Sequence, residues 1–134
     1  MTKLQDIEGI GPVYAEKLTA AGVQSIESLL KLGATPKGRE ELAEKAGIAK
    51  TLILEWVNHA DLFRIKGVAS EYSDLLEEAG VDTVPELAQR RADNLHAKMV
   101  EVNQAKDLVR QLPSLKQVEN WVEQAKALPR VIEY

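Results

Sequence analysis

The chain repeats itself. Residues 7–23 return 58 positions later as residues 65–81, with seven of seventeen positions identical. The matched pairs are Ile7/Ile65, Gly9/Gly67, Tyr14/Tyr72, Leu18/Leu76, Ala21/Ala79, Gly22/Gly80 and Val23/Val81, and the likeness continues through Ile26/Val84 and Leu29/Leu87. A period of that length means that one small supersecondary unit is used twice, each copy burying an apolar face. The copies divide the 134 residues into 1–63 and 64–134, the second having the longer connection.

Within each copy the punctuation is helical. Pro12, and Ser70 in the second copy, suit the first turn of a helix, while Gly22 and Gly80 suit the left-handed position just past its end. Ser25 and Thr83 are expected N-caps of short helices, with Gly33 closing the first. Thr35-Pro36 opens another helix that Gly47 ends. From Lys50 to about Phe63, Leu52, Ile53, Trp56, Val57 and Ala60 share one face of an amphipathic helix. In the second copy Asp93 is the expected cap of a helix over 94–103, followed by a further helical stretch up to Leu112. Ser114 and Gln117 then have capping-box spacing for the last helix. Trp121-Val122-x-x-Ala125 matches Trp56-Val57-x-x-Ala60, which makes the two tryptophans matched core anchors.

Composition agrees with an all-α chain. Aromatic residues are only 4% of it, too few for strands, which favour aromatic and β-branched side chains. With no cysteine, disulfides and thiolate metal sites are excluded. No apolar run is long enough to span a bilayer and the opening residues carry no signal-like segment, so a cytoplasmic protein without membrane contact is expected. Enzyme chemistry finds little support. His59 and His96 are the only histidines, and no phosphate loop with lysine, no Ser-His-Asp order and no metal-spaced carboxylate cluster appears. No cofactor, metal or small-molecule substrate is implied.

The segment with chemical content is the first copy's Leu4-x-x-Ile7-x-Gly9-Ile10-Gly11-Pro12-x-x-Ala15-x-x-Leu18-x-x-Ala21-Gly22-Val23. Two glycines alternating with apolar residues allow a tight hairpin. The helix that follows presents free backbone N–H groups, which form an anion site without any basic side chain. Ile10 would plug the turn into the core, with Ala15 and Leu18 on the buried face. The pattern closely resembles the helix-hairpin-helix motif of nucleic-acid-binding proteins. With the stretches Trp56-Val57-Asn58-His59-Ala60-Asp61, Asn94-Leu95-His96-Ala97-Lys98 and Leu112-Pro113-Ser114-Leu115-Lys116-Gln117-Val118, the whole chain looks most like tandem helix-hairpin-helix proteins grouped, in bacteria, as a domain family of unknown function. That resemblance implies two helix-hairpin-helix (SAM-like) repeats packed as one compact helical domain. It also implies backbone-directed, sequence-independent DNA contact, although the superfamily includes members that bind other proteins.

Several features depart from the DNA-binding pattern. The net charge is −4, where strong nucleic-acid binders are usually basic. Six residues precede Ile7, so a stubby first helix is expected. The second hairpin, Gly67-Val68-Ala69, lacks the second glycine, and its helix carries Glu71, Asp74, Glu77 and Glu78 with no Lys or Arg, so it is read as structural. Between Arg90 and Lys116 six basic residues stand against three acidic ones, which is compatible with a basic patch or simply a solvated face. A second pattern, Ala43-x-x-x-Gly47-Ile48-x-x-x-x-Ile53-x-x-Trp56, has helix-turn-helix spacing, with Lys50, Thr51, Glu55 and Asn58 as base-reading candidates.

Two readings therefore stand. In one the chain is a weak, sequence-nonspecific binder of the DNA backbone through Gly9, Ile10, Gly11, Pro12, Val13 and Lys17. In the other it is a protein-interaction or assembly module, self-association included, whose hairpins are purely architectural.

Overall fold

The computed structural model describes residues 2–134. Its order is a 3₁₀ turn over Leu4–Asp6, then α1 (Pro12–Ala20), α2 (Ile26–Leu32), α3 (Pro36–Ala46), α4 (Lys50–Leu62), α5 (Ser70–Glu78), α6 (Val84–Ala88), α7 (Ala92–Lys106) and α8 (Leu115–Ala127). Among the described residues there is no strand, so the chain is all-α. It divides into two compact units. The first runs to Asp61 and takes back Val131–Tyr134; the second is Leu62–Arg130.

In the first unit α3 packs against α1 and α2. Leu18, Leu29, Ile53 and Val57 are fully buried there, and Trp56 nearly so. In the second, α8 packs on α6 and α7, and α5 on α7. Val118, Trp121, Val122 and Ala125 line the buried face of α8. Their i, i+3, i+4, i+7 spacing gives the helix a single apolar stripe. Trp121 follows Trp56 by 65 positions where Gly67 follows Gly9 by 58, so the second connection is seven residues longer.

Helix ends follow local chemistry. After α1, Gly22 sits at φ 98°; its N–H bonds the Thr19 carbonyl and that of Val23 reaches Leu18. Gly80 and Val81 close α5 in the same way on Glu77 and Leu76. This is the left-handed helix end expected of glycine, sealed by a buried apolar contact. Gly47 ends α3 at φ 67°. Ser25 and Ser114 both form capping boxes, the first with Ser28 and the second with Gln117.

Two expectations about helix ends need correcting, and a third holds in position but not in its bond. Thr83 stands at the N-cap of α6 but makes no side-chain cap bond. Pro85, in the first turn, has no N–H to offer, and Glu86 reaches back instead to the Asp82 N–H at 3.0 Å. Asp93 is not the cap of α7: the helix begins at Ala92 with Arg91 at the N-cap. Its carboxylate accepts from the Asn94 N–H at 2.8 Å and from Arg91 at 3.0 Å. Finally, no helix continues to Leu112. Asp107 takes the left-handed conformation, φ 51°, and the Asn103 side-chain oxygen accepts the N–H groups of Leu108 and Val109 at 2.7 and 3.0 Å. A side chain that captures those amides removes the donors another helical turn would use.

Gly33 closes α2 for a reason other than backbone freedom. Its φ is −94°, open to any residue, but a Cβ there would lie 2.4 Å from Val57 Cγ2 and 3.0 Å from the Leu29 carbonyl. Val57 is fully buried and has no room to retreat. Gly33→Ala should therefore lower stability by about 1–3 kcal/mol through overpacking. An unchanged midpoint in urea would show that α2 and α4 separate more easily than their packing indicates.

Candidate functional site

Residues 7–10 form a tight turn followed directly by α1. The Ile10 N–H donates to the Ile7 carbonyl at 3.1 Å, and Gly9, inside the turn, sits at φ 95°. A type II turn requires that sign at its third residue. Ile10 is 3% exposed and forms the plug expected of it. Gly9 also faces the core: a Cβ on it would lie 3.4 Å from Trp56 Nε1.

Gly11 differs in kind. It is the N-cap of α1 with φ −89° and ψ −173°, ordinary extended backbone. A Cβ there would meet nothing within 4 Å. Its carbonyl accepts the Ala15 N–H at 2.9 Å, and no side chain caps the helix. Pro12 fills the first helical position, where its missing N–H costs nothing. The amides of Val13 and Tyr14 follow in the first turn, where the helix itself supplies no acceptor. Gly9, Gly11, Pro12, Val13 and Lys17 are all exposed, Val13 by 66%. The Lys17 ammonium lies 5.9 Å above the Tyr14 ring, and that ring packs edge-on against Trp56 at 5.1 Å. Glu8 and Glu16 are exposed on the same segment, so its acidic residues outnumber its one lysine.

At the matching turn in the second copy the Val68 N–H donates to the Ile65 carbonyl at 3.1 Å, Gly67 has φ 98°, and a Cβ on it would approach Trp121 Nε1 to 3.0 Å. Val68 is buried, and Ala69 is the exposed N-cap of α5. The Tyr72 and Trp121 rings lie 5.3 Å apart. The Gln124 side chain holds both the N–H and the carbonyl of Lys66, at 2.8 and 3.0 Å. A shallow groove of about 400 Å³ opens at the start of α5, with Glu71 and Arg110 among its lining residues. The sequence singled out Glu71 on the acidic helix and Arg110 in the basic stretch of 90–116 separately; their meeting at one groove, about 40 residues apart, was not legible there.

Three of the six basic residues of 90–116 are paired with carboxylates. Arg91 pairs with Asp93 at 3.0 Å, Lys98 with Glu101 at 3.8 Å and Lys106 with Glu78 of α5 at 2.5 Å. Hydrogen bonding from the Asn94 N–H first, and from Arg91 second, holds the Asp93 carboxyl below its ordinary range. Arg90, Arg91, Asp93, Glu119, Glu123 and Lys126 line a cleft of about 470 Å³ beside α8. Both signs of charge meet there. Of the histidines, His59 is buried, and His96 Nε2 lies 2.9 Å from the Pro113 carbonyl, which can only accept, so that nitrogen carries the proton.

Arg39 and the segment 131–134 escaped the sequence reading. Arg39 is 4% exposed, donating to the Gly33 carbonyl and to that of Glu133, both at 2.8 Å. The available signal was spacing, because Arg39, Leu42 and Ala46 share the buried face of α3. The helix-turn-helix candidate Asn58 is also engaged, accepting from the Tyr134 hydroxyl at 2.8 Å.

This arrangement extends over the stretch matched by one known family, described as a domain of unknown function (DUF4332), which covers residues 8–128. The chain belongs to that family. No curated protein and no solved structure matches it. In this DUF4332 member both turn glycines, both tryptophans and the charged cleft beside α8 fall inside the family's span, whereas Val131–Tyr134 lies beyond it. No helix among the described residues is long and apolar enough to cross a membrane.

Proposed function

We propose that the chain is a tandem helix-hairpin-helix protein and a non-enzymatic binding module, cytoplasmic in location, that contacts the DNA backbone weakly and without sequence preference through its first hairpin. The observation that carries this reading is Gly11. The packing makes no demand for glycine there: its backbone is extended, the space around it is open, and alanine stands at the matching position 69. A residue without a side chain, in front of an uncapped helix start, leaves room for a phosphate to reach the Val13 and Tyr14 amides. The two-hairpin assignment is supported by the paired turns at Gly9 and Gly67, each against an indole nitrogen.

Lys17 is the one basic side chain of α1. Affinity rests on backbone dipoles and few phosphates, which predicts a shallow salt dependence of about two or three released counterions. Base sequence has no effect, because phosphate contacts position without specifying. Titration of labelled duplex and single-stranded DNA at two salt concentrations tests this. Saturable binding with equal affinity for unrelated sequences is expected. No binding to either form at ~50 mM salt, where phosphate contacts are strongest, would remove the reading.

The rival is a protein-interaction module with architectural hairpins. It is favoured by the exposed acidic residues Glu71 and Glu78 on α5 and by Val13, an apolar side chain held in solvent at the first hairpin. A failed DNA titration leaves α5 as the first surface to test.

A further inference from the structure

The first unit contains a built seat for an extended peptide, filled by residues 131–134 of the same chain. The Glu133 N–H donates to the Ala34 carbonyl at 2.7 Å, while the Glu133 carbonyl accepts from Arg39 at 2.8 Å. Both main-chain groups of one residue are thus held, with no use made of its side chain, which is exposed. On one side Ile132 is 2% exposed, a full apolar anchor. On the other, the Tyr134 ring lies under the Arg39 guanidinium at 5.7 Å and its hydroxyl donates to Asn58 Oδ1 at 2.8 Å. The seat therefore reads the pattern Ile-x-Tyr along an extended backbone. The Arg39 charge, nearly out of solvent, has neutral acceptors and an aromatic face around it.

The segment reaches this seat after passing through the whole of the second unit, which ends at Arg130. Before it, α8 stops at Ala127, and Leu128 is extended ahead of Pro129, so no regular secondary structure ties the tail to α8. Such a segment can leave its own seat without disturbing a helix. A second copy of the chain carries the same segment and the same seat, with every contact reproduced.

We propose that Val131–Tyr134 exchanges between two copies, each tail occupying the other's Arg39 seat to give a closed two-fold pair. Exchange breaks two seats and re-forms two identical ones. Its free energy is then mainly that of bringing two chains together, and concentration controls it. The first hairpin takes no part in this, so the inference is independent of DNA binding.

Two full-length variants test it by complementation. Ile132→Asp disables the tail and leaves the seat; Arg39→Gln disables the seat and leaves the tail. Each alone should sediment as a monomer, and an equimolar mixture should yield a heterodimer joined by the one intact tail in the one intact seat. A second measurement needs no substitution. Light and heavy-isotope preparations of the unaltered chain, concentrated together and then diluted, should give mixed-mass dimers in native mass spectrometry, and Tyr134→Ala should deplete them. Mixed-mass dimers support exchange even where a variant fails to fold. Their absence, with the unaltered chain monomeric at every concentration, overturns it.

Discussion

Gly11→Val should abolish DNA binding and leave the protein folded. The structure separates these effects because Gly11 and Gly9, alike in sequence, do different work. At Gly11 a side chain meets no atom within 4 Å and the backbone is extended, so the fold admits valine. The remaining cost is the poorer N-cap preference of a β-branched residue, about 1 kcal/mol. The isopropyl group would, however, stand over the first-turn amides and hold a phosphate oxygen beyond the roughly 2.9 Å that an N–H···O bond needs. Gly9→Val is a poor probe: at φ 95°, beside Trp56 Nε1, valine there damages the turn itself. In the second hairpin Gly67→Val should likewise reduce stability, since the indole of Trp121 is nearer still at 3.0 Å. Ala69→Val should change neither stability nor affinity appreciably. Anisotropy titration and thermal melting of these variants decide the matter. Wild-type affinity in a folded Gly11→Val protein would remove the first hairpin from the interface.

Trp56→Ala and Trp121→Ala should each cost about 3–5 kcal/mol, the range for deleting a buried aromatic ring from a core that relaxes only in part. The rings are 1% and 2% exposed. Each also supports a tyrosine, Tyr14 at 5.1 Å and Tyr72 at 5.3 Å, and backs the glycine of its hairpin turn. Against a typical stability of 5–15 kcal/mol, either loss is a large fraction of the total. The chain has two tryptophans, so in each variant the remaining indole reports by fluorescence on the other unit, while circular dichroism follows the whole. Phenylalanine at either position keeps the ring contact with tyrosine and should cost less. Unchanged urea midpoints for both alanine variants would mean that these indoles contribute little to stability.

Residues 131–134 and the acidic helix α5 show where reading the sequence stopped. The Glu78–Lys106 pair spans 28 positions and the Arg39–Glu133 bond spans 94. Neither leaves a periodic trace, since nothing in the spacing of a lysine or an arginine tells which distant oxygen it will meet. Arg39 is the sharper case: its place in the i, i+3, i+7 row with Leu42 and Ala46 marks a buried face, yet an arginine is ordinarily assigned to solvent.

What the amino-acid sequence determined by itself is the local structure: the helical class, the glycine ends of α1 and α5, the N-cap at Ser25, the capping box at Ser114, and the turns at Gly9 and Gly67. These depend on groups within about five positions of one another, where residue type and spacing set the hydrogen bonds. Even there, the sequence misled beyond Lys106, because the Asn103 side chain captures donors that a pattern of apolar residues does not count, and Thr83 holds its N-cap position without the expected bond. Tertiary structure alone decided that Gly33 is small to admit Val57, that Gly9 serves the core while Gly11 faces open space, and that the last four residues complete the first unit. Those assignments depend on which side chains from distant segments arrive at the same point, and only the folded packing brings them together.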